Sequence, residues 1–105
     1  MEDMTIKAIN DCDIFTQKQK NVFTTLVSVA VDNVAYISVP SISKAIKLAP
    51  NSTYVVLRSL ENGGYISRKR AVSQKSNSYI VNKEKLDWLV KIYKKKKTGL
   101  SSIKK

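Results

Sequence analysis

One face of a predicted helix near the middle of the chain gathers side chains that can form specific polar and apolar contacts. These side chains belong to Asn51, Ser52, Tyr54, Val55 and Arg58. An arginine can donate two hydrogen bonds to guanine, an asparagine can pair with adenine, and an apolar group can contact the methyl group of thymine. A merely solvated helix face usually carries Glu, Lys and Gln, so the Tyr54–Val55 pair favours a contact surface. We therefore take this face as a candidate for reading base pairs.

The excess of positive charge is confined to the second half of the chain. Residues 1–50 carry five lysines against five acidic residues, whereas residues 51–105 carry fourteen Lys and Arg residues against three acidic ones, so the whole net charge of +11 lies there. Such a one-sided positive field attracts a polyanion. The candidate phosphate contacts are Arg68, Lys69, Arg70 and Lys75 in a predicted hairpin, and Lys94, Lys95, Lys96 and Lys97 near the C-terminus. A solubility device or a disordered basic tail is the alternative for the lysine run, but it does not account for the hairpin cations.

Several residues that catalysis would need are missing from the sequence. The chain contains no histidine, which excludes Ser-His and Cys-His nucleophile pairs and removes the commonest ligand of zinc. Its three glycines form no phosphate-binding loop of the Walker or dinucleotide type. Asp11 and Asp13 have no further ligand nearby in the sequence, so capping or loop roles are favoured over a metal site. We expect a protein that is not an enzyme and that uses neither a metal nor a cofactor.

A helix-turn-helix pattern positions the candidate base-reading face. Pro40 favours the start of one helix, which ends near Leu48, and Pro50 favours the start of the next. The second helix has apolar positions at i, i+3, i+4 and i+7, on the side opposite the candidate face. This stripe consists of Thr53, Val56, Leu57 and Leu60. The sequence Asn62-Gly63-Gly64 ends the helix, because glycine adopts the left-handed backbone of a helix C-terminus.

Shorter elements are predicted before and after this pattern. A capping box that begins at Thr16 predicts a long helix over residues 17–31. Asp32-Asn33 indicates a turn, and residues 35–39 have the composition of a short strand that can pair with a later hairpin.

A basic β-hairpin is predicted after the second helix of the pattern. Residues 65–70 and 78–81 have the composition of two strands around a polar tip at residues 73–77. The cations lie at the strand end nearest the tip, where they can reach phosphates or a narrow minor groove.

A last amphipathic helix is predicted to follow Asn82, which caps it. Its broad apolar face must cover the first helix of the same chain or a second subunit, and its width favours a homodimer. The dimer candidates are Leu86, Trp88, Leu89, Ile92 and Tyr93. A position on an anionic membrane is the less favoured alternative, because DNA binding already accounts for the charge. No segment approaches the ~20 apolar residues of a membrane span, and a single cysteine, Cys12, fits a reducing compartment, so we expect a cytoplasmic protein.

These elements together predict an α+β fold with a three-helix core, a small β-wing and a C-terminal helix. We divide the chain into an N-terminal arm or short helix at residues 1–15, a main domain at residues 16–93 and a basic flexible tail at residues 94–105. The run from Pro40 to Asn82 resembles the winged helix-turn-helix domains of bacterial and phage DNA-binding proteins. The resemblance lies in Pro40-Ser41-Ile42, Leu57, Leu60, Gly64-Tyr65-Ile66 and Ser78-Tyr79. Lys47 stands where many members have glycine, which predicts a less tight turn.

Within that superfamily, the segment IKLAPNSTYVVLRSLENGGYI is most similar to TubR-type adaptors, the centromere-binding proteins of tubulin-like plasmid and phage partition systems. This resemblance implies a cytoplasmic homodimer that binds repeated double-stranded DNA sites cooperatively and represses its own gene. It also implies that the start of the recognition helix meets the major groove and that the wing meets the minor groove or the backbone. The DNA-bound adaptor would then engage a tubulin-like GTPase filament.

Two alternatives to a partition adaptor stay open. One is a repressor or replication-initiation module that binds a single operator. The other is a winged helix that binds protein or RNA and has lost its ability to read a DNA groove. The extent of protection on DNA separates the first alternative from an adaptor, and duplex affinity separates the second.

Overall fold

The computed structural model describes residues 2–69 and 78–103, and these residues form five helices and three strands. The elements are α1 (Glu2–Asp11), α2 (Gln17–Val29), β1 (Val34–Tyr36), α3 (Val39–Ile46), α4 (Pro50–Asn62), β2 (Ile66–Lys69), β3 (Ser78–Val81) and α5 (Lys83–Ile103). The three strands form one antiparallel sheet with the order β1-β3-β2. The predicted α+β class, with helices α2 to α4 beside a small wing and a C-terminal helix, is confirmed.

The capping box at the start of α2 is present as predicted. The Thr16 hydroxyl accepts a hydrogen bond from the backbone N–H of Gln19 at 3.2 Å, and the Gln19 side-chain oxygen accepts one from the backbone N–H of Thr16 at 2.8 Å. The two bonds satisfy donors that every helix start leaves unpaired. The apolar stripe of α2 is buried and supplies the centre of the core, with Val22, Phe23 and Leu26 fully enclosed.

The end of α2 and the strand after it are shorter than predicted. Asp32 and Asn33 adopt positive φ angles of 54° and 68°, and Val31 and Val34 exchange two backbone hydrogen bonds across them, at 2.9 and 3.0 Å. This geometry is a tight two-residue turn, in which asparagine and aspartate are favoured. It draws Val31 out of α2, so the helix ends at Val29.

Strand β1 ends at Tyr36 because the next residues begin a helix. The Ser38 hydroxyl accepts a hydrogen bond from the backbone N–H of Ser41 at 3.3 Å and caps α3, which places Val39 and Pro40 in its first turn. The predicted pairing with the hairpin is confirmed, because Ala35 lies opposite Tyr79 of β3.

The turn between α3 and α4 is closed by a left-handed residue and a buried pair of hydroxyl groups. Lys47 adopts φ 56° and ψ 50°, the conformation that glycine would occupy without crowding, and so it does not loosen the turn. The Ser43 hydroxyl donates to the Thr53 hydroxyl at 2.9 Å, and Thr53 donates in turn to the carbonyl of Ala49 at 3.0 Å. These bonds tie the start of α4 to α3 and hold the two helices in one arrangement.

Lys47 gives a prediction about stability. We expect Lys47→Gly to be about 1 kcal/mol more stable than Lys47→Ala, because a Cβ atom disfavours the left-handed conformation. The two variants lose the same charge and differ only in the Cβ atom. At Lys44, inside α3, the order should reverse, with alanine more stable than glycine by about 1 kcal/mol. Urea unfolding of the four variants measures both differences, and the same order at the two positions would contradict the prediction.

The glycine pair ends α4 as predicted, and the left-handed residue is Gly64, with φ 81°. Its backbone N–H donates to the carbonyl of Glu61, and the N–H of Tyr65 donates to the carbonyl of Leu60, both at 3.0 Å. This is the Schellman pattern of a helix C-terminus. Gly63 keeps a right-handed backbone, but a Cβ atom there would lie 2.8 Å from the Tyr65 ring.

Helix α5 begins at a cap and extends further than expected. The Asn82 side-chain oxygen accepts from the backbone N–H groups of Glu84 and Lys85, and its amide donates to the carbonyl of Gly64 at 2.8 Å. The backbone is helical to Ile103, so the segment assigned to a flexible tail from residue 94 is helical over residues 94–103. Lysine is a good helix former, and the run therefore continues the helix; the division into domains stays a prediction.

Residues 1–15 contain a short helix, α1, which packs on α2 and on α5. Its inner face buries Ala8 and Ile9 at 2% and 0% exposure, and the loop after it buries Phe15. The Phe15 ring meets Phe23 and Tyr65 edge to face, with centroids 5.6 and 4.9 Å away. This aromatic cluster joins the N-terminal segment to α2 and to the start of the wing.

Candidate nucleic-acid interface

The candidate base-reading face lies on the outer side of α4. The inner stripe of the helix is buried as predicted, with Thr53, Val56, Leu57 and Leu60 at 0%, 7%, 3% and 0% exposure. Tyr54 and Val55 on the outer side are 47% and 68% exposed, and these two neighbours place an aromatic and an aliphatic side chain on that surface. Asn51 and Arg58 are exposed as well, and Ser52 is half-buried. The structure therefore brings the five candidate residues to one accessible surface, and their contact with bases stays a prediction.

The start of α4 leaves its own backbone donors available. Ala49 occupies the capping position and makes no side-chain hydrogen bond to the first turn. Pro50, the first residue of the helix, has no N–H to satisfy. Helix α4 is held against α2 by a side-chain hydrogen bond, in which the Gln19 amide of α2 donates to the Ser59 hydroxyl of α4 at 3.0 Å.

Two side-chain hydrogen bonds that hold α4 in place were not predicted from the sequence. They are the Gln19–Ser59 bond and the buried Ser43–Thr53 bond. The partners are 40 and 10 residues apart in sequence. Thr53 within an apolar stripe was the only local signal, because a buried hydroxyl requires a hydrogen-bonding partner.

Of the four candidate cations in the wing, the structure describes the side chain of Arg68. Arg68 lies on β2 opposite Tyr79 of β3, and its side chain is exposed. Lys69 ends β2, and its side chain lies outside the described residues. Arg70 and Lys75 also lie outside the described residues. The assignment of these three side chains to the DNA backbone stays a prediction.

The lysine run lies on α5, beside α1. Lys94, Lys95 and Lys96 are exposed, and the side chain of Lys97 lies outside the described residues. The Lys96 ammonium approaches the Asp11 carboxylate of α1 to 3.4 Å. Both side chains are about half exposed, so this pair adds little stability. Its main consequence is that Lys96 already has a carboxylate partner, whereas Lys94 and Lys95 form no ion pair among the described residues.

The dimer candidates on α5 divide into two groups. Leu89 is 2% exposed within its own chain and so cannot form a dimer surface, which corrects the sequence-based assignment. Leu86 and Tyr93 are partly buried against the same core. The reason is that α1 packs on α5 and the core covers part of its apolar stripe. Trp88, at 44% exposure, and the half-buried Ile92 stay available to a second subunit.

A cation–π cluster joins α5 to the end of α4, and the sequence did not predict it. The Lys85 ammonium lies 5.3 Å from the Tyr65 ring centroid and 5.5 Å from that of Trp88. Burial raises the pKa of the Tyr65 phenol above its usual value, and the nearby Cys12 thiol adds to this shift. The Tyr65 phenol therefore stays neutral at physiological pH.

Neither a metal centre nor a membrane span is visible in residues 2–69 and 78–103. No group of three or more His, Cys, Asp or Glu side chains converges there on a point that could hold a metal ion. No helix in these ranges is both long and apolar enough to cross a bilayer.

A helix-turn-helix with an exposed second helix, followed by an antiparallel wing, defines the winged-helix fold. Solved structures with this fold include the zinc-responsive MarR family member ZitR of Lactococcus lactis, which is 16% identical, with a TM-score of 0.60 over 90% of this chain and 62% of that chain. MepR of Staphylococcus aureus, a transcription regulator of the multidrug efflux pump MepA, is 21% identical, with a TM-score of 0.64 over 95% of this chain and 75% of that chain.

A MepR variant bound to an oligodeoxyribonucleotide is similarly close, at 20% identity, with a TM-score of 0.65 over 95% of this chain and 75% of that chain. At these identities the likeness establishes the fold alone, and this chain spans less than two thirds of ZitR. No protein-family model matches the chain, and no curated protein matches it by sequence. The resemblance to TubR-type adaptors stays a prediction.

Proposed function

We propose that this chain is a non-enzymatic protein that binds double-stranded DNA in a sequence-specific way, with α4 in the major groove and the β2–β3 wing beside it. The observation that carries the proposal is the outer face of α4, where Tyr54 and Val55 are 47% and 68% exposed on a helix whose other side is buried. A helix fits the major groove, where all four base pairs present different groups. The ZitR and MepR structures that contain DNA have the same fold.

The charge distribution supports the same proposal. The net charge of +11 comes from residues 51–105, the part of the chain that contains α4, the wing and α5. Neutralised phosphates release counterions, so the logarithm of the affinity should fall by about 0.9 per phosphate for each unit of the logarithm of salt concentration. A protein of this charge should therefore bind any duplex weakly and a matched site more tightly.

A homodimer is part of the proposal. Winged-helix proteins that read two half-sites do so as symmetric dimers, which doubles the number of base contacts. Trp88, at 44% exposure, and the half-buried Ile92 form an apolar surface on α5 that the described part of the chain leaves accessible. We expect Trp88→Ala to weaken self-association while the buried Leu89 continues to hold α5 on its own core.

Selection from a random pool of duplexes tests the DNA-binding proposal. Bound duplexes should converge on one motif, and the protein should bind a selected duplex more tightly than a shuffled one of the same composition. Fluorescence anisotropy at two salt concentrations then gives both affinities and their salt slopes. A pool that does not converge would overturn the proposal, and stronger binding to RNA than to duplex DNA would favour the alternative winged-helix role.

The cellular role of DNA binding has two candidates. The sequence resemblance supports a partition adaptor that coats repeated sites and binds a tubulin-like GTPase filament. The fold shared with MepR, a transcription regulator, supports an operator-binding repressor equally well. A nuclease footprint on the DNA around the gene separates them, because an adaptor protects a series of repeats cooperatively and a repressor protects one site.

The lysine run on α5 should raise the affinity for every duplex without distinguishing one sequence from another. We expect replacement of Lys94, Lys95, Lys96 and Lys97 by glutamine to lower the affinity for selected and shuffled duplexes by the same factor, because lysine contacts to phosphate carry no sequence information. The salt slope should fall by about 0.9 for each phosphate that the variant no longer neutralises. Among the single variants Lys94→Gln, Lys95→Gln and Lys96→Gln, the last should lower the affinity least, since the Lys96 ammonium already pairs with Asp11. A selective loss on the selected duplex would contradict this assignment.

A further inference from the structure

A small cleft separates the outer face of α4 from strand β2. Its lining residues are Tyr54, Leu57, Arg58, Glu61, Arg68 and Tyr79. Leu57 and Tyr79 are 3% and 2% exposed and form the floor, whereas Tyr54 and the two arginines are exposed at the rim. The cleft thus joins one arginine that the sequence assigned to base reading with one that it assigned to the wing.

The side chains that line this cleft carry a net positive charge. In the described part of the chain, neither Arg58 nor Arg68 has a carboxylate within the 4.0 Å of an ion pair. Glu61 lines the same cleft one turn after Arg58, but it too forms no ion pair among the described residues. Two guanidinium groups against one carboxylate leave the cleft cationic, and guanidinium groups match the geometry of phosphate oxygens.

The cleft has room for a phosphate oxygen. Its volume of about 20 Å³ accommodates a single water-sized group. A phosphate oxygen fits this space, with the rest of the phosphodiester held between the exposed side chains at the rim.

The position of the cleft also matches the path of the DNA backbone. When one element lies in the major groove and the neighbouring wing in the adjacent minor groove, the sugar–phosphate strand between those grooves must cross the junction of the two elements. In this fold that junction is the space between α4 and β2, which Arg58 and Arg68 border.

We propose that Arg58 and Arg68 together hold one phosphodiester of the DNA backbone in this cleft, so that Arg58 anchors the protein and does not read a base. This inference rests on the proposed function. Base reading is then left to the first turns of α4, at Asn51, Ser52, Tyr54 and Val55. The shared phosphate determines how deeply the start of α4 enters the groove, because contacts to the backbone set the register of a protein on its site.

Affinity measurements on the full chain test this assignment. Arg58→Ala and Arg68→Ala should each weaken binding about tenfold, to selected and shuffled duplexes alike, because each removes a charge-assisted hydrogen bond. Arg58→Lys should fall between the wild type and Arg58→Ala, since lysine keeps the charge and loses the two-pronged geometry. Glu61→Gln should strengthen binding to both duplexes. Lys18→Ala, which removes an exposed cation from the first turn of α2, in the half of the chain that has no net charge, is the control and should change affinity less than about twofold.

The double variant identifies a shared phosphate. With one phosphate between the two arginines, the loss of affinity in the Arg58→Ala/Arg68→Ala double variant should be smaller than the product of the single losses. Its salt slope should fall by about 0.9, against about 1.8 for two separate phosphates. The shared site would be overturned if the affinity loss of the double variant equalled the product of the single losses and its salt slope fell by about 1.8. A loss of discrimination between selected and shuffled duplexes in Arg58→Ala would return Arg58 to base reading. A wild-type protein that fails to distinguish selected from shuffled duplexes would overturn the proposed function itself, independently of the variants.

Discussion

Replacing Tyr54 or Val55 with alanine should remove much of the discrimination between selected and shuffled duplexes while the protein stays folded. Each side chain is exposed on α4, so its removal costs little stability, whereas the wrong base pair at one position of a DNA site typically costs a specific protein about 1–3 kcal/mol. We expect the ratio of the two affinities to fall about 5- to 150-fold for each variant. Anisotropy titrations of both duplexes at one salt concentration measure this ratio.

The control for this prediction is the next residue along the helix. Val56 is 7% exposed and faces the core, while Val55 is 68% exposed. Val56→Ala removes the same two methyl groups as Val55→Ala, and it should lower the free energy of unfolding by about 2 kcal/mol. The folded fraction of Val56→Ala should still discriminate between duplexes. If Val55→Ala keeps full discrimination, the outer face of α4 does not read bases through this residue.

Phe23→Ala should lower the free energy of unfolding by about 3–5 kcal/mol. The Phe23 ring is fully buried, and its centroid lies 5.6 Å from that of Phe15 and 5.9 Å from that of Tyr65. It therefore connects α2, the N-terminal segment and the start of the wing. Because small domains are stable by only about 5–15 kcal/mol, this loss removes a large share of the total. Urea unfolding followed by circular dichroism gives the difference.

Two further substitutions serve as controls for the loss of stability expected in Phe23→Ala. Phe23→Leu keeps most of the apolar volume and should cost less than Phe23→Ala, the difference being the cavity and the ring contacts. Tyr36→Ala removes an aromatic side chain that is 73% exposed and should change stability by less than about 0.5 kcal/mol. A loss below about 1 kcal/mol for Phe23→Ala would mean that the aromatic cluster does not hold these segments together.

Most helix ends could be predicted from the sequence because each depends on a few adjacent residues. Thr16 and Gln19 cap each other, Asn82 caps α5, and Gly64 takes the left-handed conformation after α4. The errors arose where two local signals overlapped. Ser38 caps α3 inside a run that favoured a strand, so β1 is shorter than expected.

The candidate site was predictable in part for a similar reason. Helical periodicity separates the buried Val56 and Leu57 from the exposed Tyr54 and Val55, and one helix is sufficient to define these two sides. The relation of α4 to the wing was not predictable, because Arg58 and Arg68 lie on different elements and only the folded chain brings both to the lining of one cleft.

The sequence by itself determined the fold class, the helix-turn-helix and the outward face of α4, because these follow from periodicity and from contacts within about four residues. The tertiary structure alone decided that α1 packs on α5 and that Leu89 belongs to the core and not to a dimer surface. It also decided that Gln19 holds α4 through Ser59. An amphipathic pattern shows that a face must be covered, but the covering element is chosen by the packing of the whole chain.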